Sequence, residues 1–334
     1  MARDRSPNPW PAHRLAILVG VAAVLVAAAL FGLASTVGIQ KTLSELAHPH
    51  WQWLVVAVGG ELVAYTGYTA AYREVARVDR GAELAVPKAA ALVAAGFGVF
   101  VHGGGFALDR TALQRAGLSQ EGARRRVLGL GMLEYAVLAP ATLAAAIVVV
   151  IWHPTISASL TLPWIIGPPV GAVLAAVALR FKARISSWPL IGQPLLHGLQ
   201  ALELVLLFAR KPFRHGLAFV GTLAYWAGDT FCLWAALQAF SAQPPPVAQL
   251  IVGYATGYAL TRRALPLGGA GIVEVLLPYS LGWLKIALLP ALLAVFAYRL
   301  INLWLPMIPA LAGLPTLRRL EAAVPNRRHL AART

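Results

Sequence analysis

The chain has 334 residues, 59% of them hydrophobic and 12% charged. A soluble domain carries about 45–50% apolar and about 25% charged residues, so there is too little polar surface to cover a water-soluble globule, and disorder is excluded by the same numbers. The net charge of +15 comes from 28 Lys+Arg against 13 Asp+Glu. These basic residues flank apolar runs, which points to the positive-inside rule and anionic lipid headgroups and away from nucleic acid. Cys232 is the single cysteine, which excludes a disulfide scaffold. The eight histidines show no metal-binding spacing, so no metal or other cofactor is expected.

In chain order, Arg3, Arg5 and Arg14 precede the apolar run Leu15 to Leu33, within a first stretch at roughly 14–35. That run is too long for the core of a cleaved signal peptide and long enough to span, so it reads as a retained first helix. Further apolar stretches fall at roughly 51–72, 86–104, 127–152, 162–181, 215–240, 247–264 and 286–311. In lipid each must pair its backbone internally as helix. A weaker stretch, 190–210, carries Gln193, His197, Gln200 and Glu203, and reads as an amphipathic helix at the interface or as a ninth span. Hydropathy alone therefore counts seven or eight helices, in one all-α polytopic membrane domain over 1–334.

The segments 73–88, 108–126, 180–214 and 318–333 are rich in Arg and Lys, whereas 153–162 and 241–246 carry no Asp, Glu, Lys or Arg. If every apolar stretch crossed, 108–126 and 180–214 would lie outside, against the positive-inside rule. If 86–118 and 247–284 are re-entrant hairpins entering from opposite sides, 23 of the 28 Lys+Arg lie inside, with Lys41 and Lys285 outside and Arg262, Arg263 and Arg299 within the membrane. The expected architecture is then an inverted repeat of three crossings plus one hairpin per half, as in secondary transporters. The halves are 14–152 and 162–312, 313–334 is a basic cytoplasmic tail, and both termini are cytoplasmic.

Two segments about 165 residues apart support such a repeat. His102-Gly-Gly-Gly-Phe-Ala-Leu-Asp-Arg110 sets against Pro266-Leu-Gly-Gly-Ala-Gly-Ile-Val-Glu274; without a gap, Gly117 then falls opposite Gly282 and Glu134 opposite Arg299. The glycine tips Gly103, Gly104, Gly105 and Gly268, Gly269, Gly271 permit close backbone or ligand approach. Glu61, Glu134 and Asp229 lie deep in apolar helices and are candidates for proton coupling, as is expected of ionisable groups at that depth. Arg110, Arg262, Arg263, Glu274 and Arg299 are, with the tips, candidates to bind a phosphate-bearing headgroup. The competing reading of Glu134 and Arg299 is a buried structural pair, and that of Arg262 and Arg263 an ordinary helix end. No GxSxG, P-loop or dinucleotide-binding pattern is present, so no catalytic residue is assigned.

Pro266-Leu-Gly-Gly-Ala-Gly-Ile-Val-Glu274, followed by Ala297-Tyr-Arg-Leu-Ile-Asn-Leu-Trp-Leu-Pro306, resembles the membrane region of the lysylphosphatidylglycerol synthase family. That family's pattern is a Pro-Gly-Gly-x-Gly-x-x-Glu turn, then Tyr-Arg and Trp-x-Pro. In the first half the chain departs from the family pattern, with Gly105-Phe-Ala-Leu-Asp-Arg110 and Glu134-Tyr-Ala-Val-Leu138 where Arg-x-Gly-Glu and Glu-Arg-x-x-Asp are frequent. The resemblance implies a flippase-like protein of the bacterial inner membrane that moves a phospholipid or lipid-linked intermediate between leaflets. With about 22 residues after 312, it also implies no soluble aminoacyltransferase domain. Partners would be lipids with anionic or phosphate-bearing headgroups, with a homo-oligomer or membrane partner possible. The alternatives are a membrane enzyme acting on a lipid or polyprenyl-phosphate substrate, and a non-transporting membrane subunit.

Overall fold

The computed structural model describes residues 12–97, 105–189, 191–240, 243–259, 269–306 and 308. Among them every regular element is a helix. In order these are α1 (Ala12–Val37), α2 (Ile39–Leu46), α3 (Trp51–Arg77), α4 (Val86–Phe97), α5 (Gly105–Arg115), α6 (Gln120–Trp152) and α7 (Ala158–Arg180). There follow a single turn α8 (Lys182–Ile185), then α9 (Gly192–Arg210), α10 (Pro212–Ala239), α11 (Val247–Tyr254), α12 (Val273–Trp283) and α13 (Leu288–Arg299). α11 and α13 each run on into a π-helical turn, Ala255–Ala259 and Leu300–Trp304.

Local chemistry sets several boundaries. Ser119 caps α6, its Oγ accepting from the Gly122 amide at 3.0 Å, with Glu121 in the first turn. Pro212 opens α10, where its missing N–H costs nothing. α2 is an eight-residue helix that the apolar runs do not reveal, because its polar face interrupts them.

Four helical segments are long and apolar enough to cross a membrane: Ile17–Val37, Trp51–Arg80, Gln120–Trp152 and Ala158–Arg180. Their outward faces carry large exposed apolar side chains, among them Val24, Phe31, Val55, Leu62, Ile151 and Val173. A water-soluble monomer does not expose apolar surface on this scale, so these helices belong in lipid.

α4 and α5 have 12 and 11 residues, and α12 has 11. At 1.5 Å per residue each is about 16–18 Å long, little more than half of a hydrocarbon core of about 30 Å. α11 and α12 pack antiparallel through small residues. A Cβ on Gly253 would meet the Leu284 side chain at 2.7 Å, and one on Gly257 would meet Ser280 Oγ at 2.6 Å.

The basic segments 73–88, 108–126 and 180–214 come together at one end of the bundle. Arg126 donates to the carbonyls of Ala76 (3.2 Å) and Val78 (2.5 Å). Arg125 pairs with Asp79 at 3.7 Å, Arg124 contacts the His197 ring at 2.8 Å, and Lys182 pairs with Glu203 at 2.7 Å. At the other end the His50 amide donates to the Ala239 carbonyl at 2.8 Å, and Trp53 meets Trp234 edge-on at 5.3 Å.

The closest helix pairing is α3 against α10. A Cβ on Gly60 would lie 2.9 Å from the Gly228 carbonyl oxygen and 3.0 Å from the Cys232 nitrogen; one on Gly67 would lie 2.6 Å from the Gly221 oxygen and 2.9 Å from the Tyr225 nitrogen. Conversely, a Cβ on Gly221 would meet the Gly67 oxygen at 2.5 Å and the Ala71 nitrogen at 2.8 Å. One on Gly228 would meet the Gly60 oxygen at 2.5 Å and the Ala64 nitrogen at 2.6 Å. Adding 161 to each α3 number and subtracting it from each α10 number returns the same set of contacts, so the seam is locally two-fold symmetric. Helix starts follow the same shift: 51 and 212, then 86 and 247, are 161 apart, while 105 and 273, then 120 and 288, are 168 apart. The offset of about 165 expected from the gapless comparison falls between these two values. At 168, Glu134 corresponds to Asn302 and no longer to Arg299.

Candidate functional site

The site lies where α3, α10, α12 and α13 and the two π-helical turns meet. Arg299, at the end of α13, is 1% exposed, and its Nε donates to Glu274 Oε1 at 2.6 Å; Glu274, in the first turn of α12, is 0% exposed. The second Glu274 oxygen accepts the Gly271 amide at 2.7 Å. Gly271 holds φ +85, and a Cβ there would meet Leu25 of α1 at 3.2 Å, so the turn that aims Glu274 admits glycine on both counts. The Arg299 guanidinium also lies over the Tyr258 ring, 5.9 Å from its centroid.

Tyr258 links this ion pair to a second polar group. Its hydroxyl donates to Asn302 Oδ1 at 2.8 Å, and Asn302 Nδ2 donates to Asp229 Oδ1 at 2.8 Å and to Glu61 Oε2 at 3.4 Å. Asp229 accepts further from the hydroxyls of Tyr298, at 2.9 Å, and Tyr254. Glu61, Asp229 and Asn302 are all buried. Asp229 thus sits among neutral donors, whereas Glu274 faces a guanidinium. The arrangement therefore sets the Glu274–Arg299 pair beside a hydrogen-bonded cluster of Asp229 and Glu61, joined to it through Tyr258 and Asn302.

Of the sequence candidates, the structure joins Glu61, Asp229, Glu274 and Arg299 in one network, with Gly269 and Gly271 forming the turn beside it; both have positive φ, 72 and 85. The sequence offers Glu134, Glu274 and a lipid phosphate as partners for Arg299, and its Nε donates to Glu274. Glu134 is buried on α6, and its backbone carbonyl accepts from Trp226 Nε1 at 2.9 Å, one turn of α10 from Asp229. Gly105 begins α5 and Arg110 is exposed on it, away from this network. Arg262, Arg263, Gly268, Gly103, Gly104 and His102 lie outside the described residues.

Sequence reasoning missed Tyr254, Tyr258, Tyr298 and Asn302. The signal was present as spacing: Tyr254 with Tyr258, and Tyr298 with Asn302, are four apart and so share a helix face. The two π-helical turns carry Tyr258 and Asn302, and such turns recur at functional sites. The chain matches no protein-family model and no curated protein.

Proposed function

We propose that the protein is a lipid translocator, flippase-like, that carries a phosphate-bearing lipid headgroup past the Glu274–Arg299 pair while the acyl chains stay in the bilayer. The observation that carries this reading is a fully buried arginine–glutamate pair, tied to the carboxyls of Glu61 and Asp229, inside a bundle whose outer faces are apolar. Ionisable groups at such depth are costly and mark substrate or proton paths. In the closed arrangement Glu274 occupies the guanidinium. A lipid phosphate reaching Arg299 replaces that carboxylate as its anion, and proton uptake by Asp229 or Glu61 offsets the change in buried charge. The resemblance of 266–274 and 297–306 to the lysylphosphatidylglycerol synthase membrane region points the same way.

The transport cycle follows from an inverted repeat. The two-fold contacts of α3 and α10 and the paired helix starts support one, with α4–α5 and α11–α12 as its re-entrant hairpins. The basic end faces the cytoplasm of a bacterial inner membrane by the positive-inside rule. Rocking of one repeat against the other about the α3–α10 seam then exposes the network to either leaflet in turn.

Reconstitution tests this. Liposomes containing the protein and a fluorescent phospholipid should lose outer-leaflet label to a membrane-impermeant quencher in the fraction a scrambled or flipped pool predicts, with the lipid mass unchanged. A changed lipid mass would establish a membrane enzyme. A rate equal to that of protein-free liposomes would reject translocation.

A further inference from the structure

A second polar site lies apart from this network, at the basic end of α3. A cavity of about 420 Å³ is lined by Arg73, Glu74, Arg77, Glu83, Leu84, Ala85 and Leu217, within the size range of ligand pockets. Its walls are rigidly held. Arg126 clamps the Ala76 and Val78 carbonyls that end α3, and Asp79 and Arg80 turn the chain with φ 50 and 55. Arg73 Nε donates to the Leu84 carbonyl at 2.8 Å and fastens the returning strand of chain.

The charges are distributed unevenly. Glu74, 1% exposed, pairs with Arg77 and lies 2.9 Å from His215 Nδ1, so its carboxylate is already engaged. The two Nη groups of Arg73 make no hydrogen bond among the described residues, and the Arg77 side chain is 53% exposed beyond its contact with Glu74. Glu83 is exposed at the rim with no ion pair among the described residues. The cavity is therefore lined by both guanidinium donors and a carboxylate. A bare anion would be repelled by Glu83, and a bare cation by the arginines. Leu217 adds the third element. It is 48% exposed, and with Val220 and Leu223 it begins an outward apolar stripe on α10 that leaves the basic end. A headgroup seated here can lay its acyl chains along that stripe.

We propose that this cavity binds the headgroup of a zwitterionic aminophospholipid, its phosphate on Arg73 and Arg77 and its ammonium on Glu83. The site is independent of the transport reading, because it needs no movement of lipid, and its test reads binding alone.

The detergent-solubilised full-length protein is titrated with dihexanoyl phosphatidylethanolamine, dihexanoyl phosphatidylglycerol, dihexanoylglycerol and water-soluble phosphoethanolamine, with Kd read by calorimetry. Phosphatidylethanolamine should bind tightest and dihexanoylglycerol should not bind. Arg73→Gln should weaken phosphatidylethanolamine by at least about tenfold, the weight of one charge-assisted hydrogen bond. Glu83→Gln should remove the preference over phosphatidylglycerol. Leu217→Trp, which leaves every charge in place, should weaken the lipid and spare phosphoethanolamine. Equal binding of the two phospholipids to the wild type would overturn the proposal. So would unchanged affinity in Arg73→Gln or, should that variant not fold, in Glu83→Gln. Unchanged lipid affinity in Leu217→Trp would assign the site to soluble phosphate compounds and reject the lipid.

Discussion

Gly60 on α3 and Gly228 on α10 touch backbone to backbone: a Cβ on Gly60 would lie 2.9 Å from the Gly228 carbonyl oxygen, and one on Gly228 2.5 Å from that of Gly60. The same relation recurs between Gly67 and Gly221, so the two helices approach along glycines spaced seven apart on each. Without a hydrophobic force between helices in lipid, this close packing is what holds the pair together.

A side chain at any of the four positions must therefore push the helices apart. Gly60→Leu and Gly221→Leu, which occupy equivalent places in the two-fold seam, should each lower the melting temperature in detergent, by overpacking worth about 1–3 kcal/mol. Gly59 and Gly216 have nothing within 4 Å of an added Cβ. Gly59→Ala and Gly216→Ala should be neutral or stabilising, since alanine favours helix over glycine by about 1 kcal/mol.

Asp229 accepts from Tyr254, Tyr298 and Asn302 and is fully buried. Asp229→Asn keeps its size but brings a second amide against the Asn302 amide and fixes the position as neutral. The variant should fold and purify as wild type does. In liposomes with an imposed proton gradient it should lose the acceleration of lipid movement that the wild type shows. An Asn variant that still responds to the gradient would move proton coupling to Glu61 or Glu134.

The topology rests on which segments share an end of the bundle. Single cysteines at Ser119 and Arg184 lie at the basic end, and those at Ser157 and Gln243 at the other; Cys232 is fully buried and is replaced by alanine as background. An impermeant thiol reagent applied to intact cells should label 157 and 243 and leave 119 and 184 untouched. Labelling at 119 would mean that α4 and α5 together cross the membrane.

The helices were legible because each apolar run is long and is bounded by charge, glycine or proline. All eight runs, and the stretch 190–210, overlap helices where described, but α6 begins seven residues before its run, and α5 and α12 lie in none of the runs. The partner of Arg299 was legible only as a choice among Glu134, Glu274 and a lipid phosphate, and the structure pairs it with Glu274. A gapless comparison cannot register helix starts that are 161 apart for α3/α10 and α4/α11 and 168 apart for α5/α12 and α6/α13, so it set Arg299 opposite Glu134. Nor does composition distinguish Asn302 or Tyr298, neutral polar residues in an apolar helix, from ordinary neighbours. What reveals them is the carboxylate they reach on another helix. The glycine seam was written in the sequence as two matching seven-residue spacings, but the face they share is defined by the helix opposite.

Arg299 and Glu274 decide between a structural and a transporting role. Both are buried, and the Nε–Oε1 distance is 2.6 Å. Removing one partner leaves an uncompensated buried charge, which costs about 3–5 kcal/mol, whereas replacing both by apolar residues is often neutral. Arg299→Leu should therefore express poorly, and Arg299→Leu with Glu274→Leu should recover expression and melting temperature. Adding Glu134→Leu to Arg299→Leu in place of Glu274→Leu should bring no recovery, because Glu274 would remain unpaired. In liposomes the folded Arg299→Leu/Glu274→Leu protein should fail to move lipid above the protein-free rate, since the guanidinium proposed to take the phosphate is gone. If it moves lipid at the wild-type rate, the pair serves packing alone and the headgroup path lies elsewhere in the bundle.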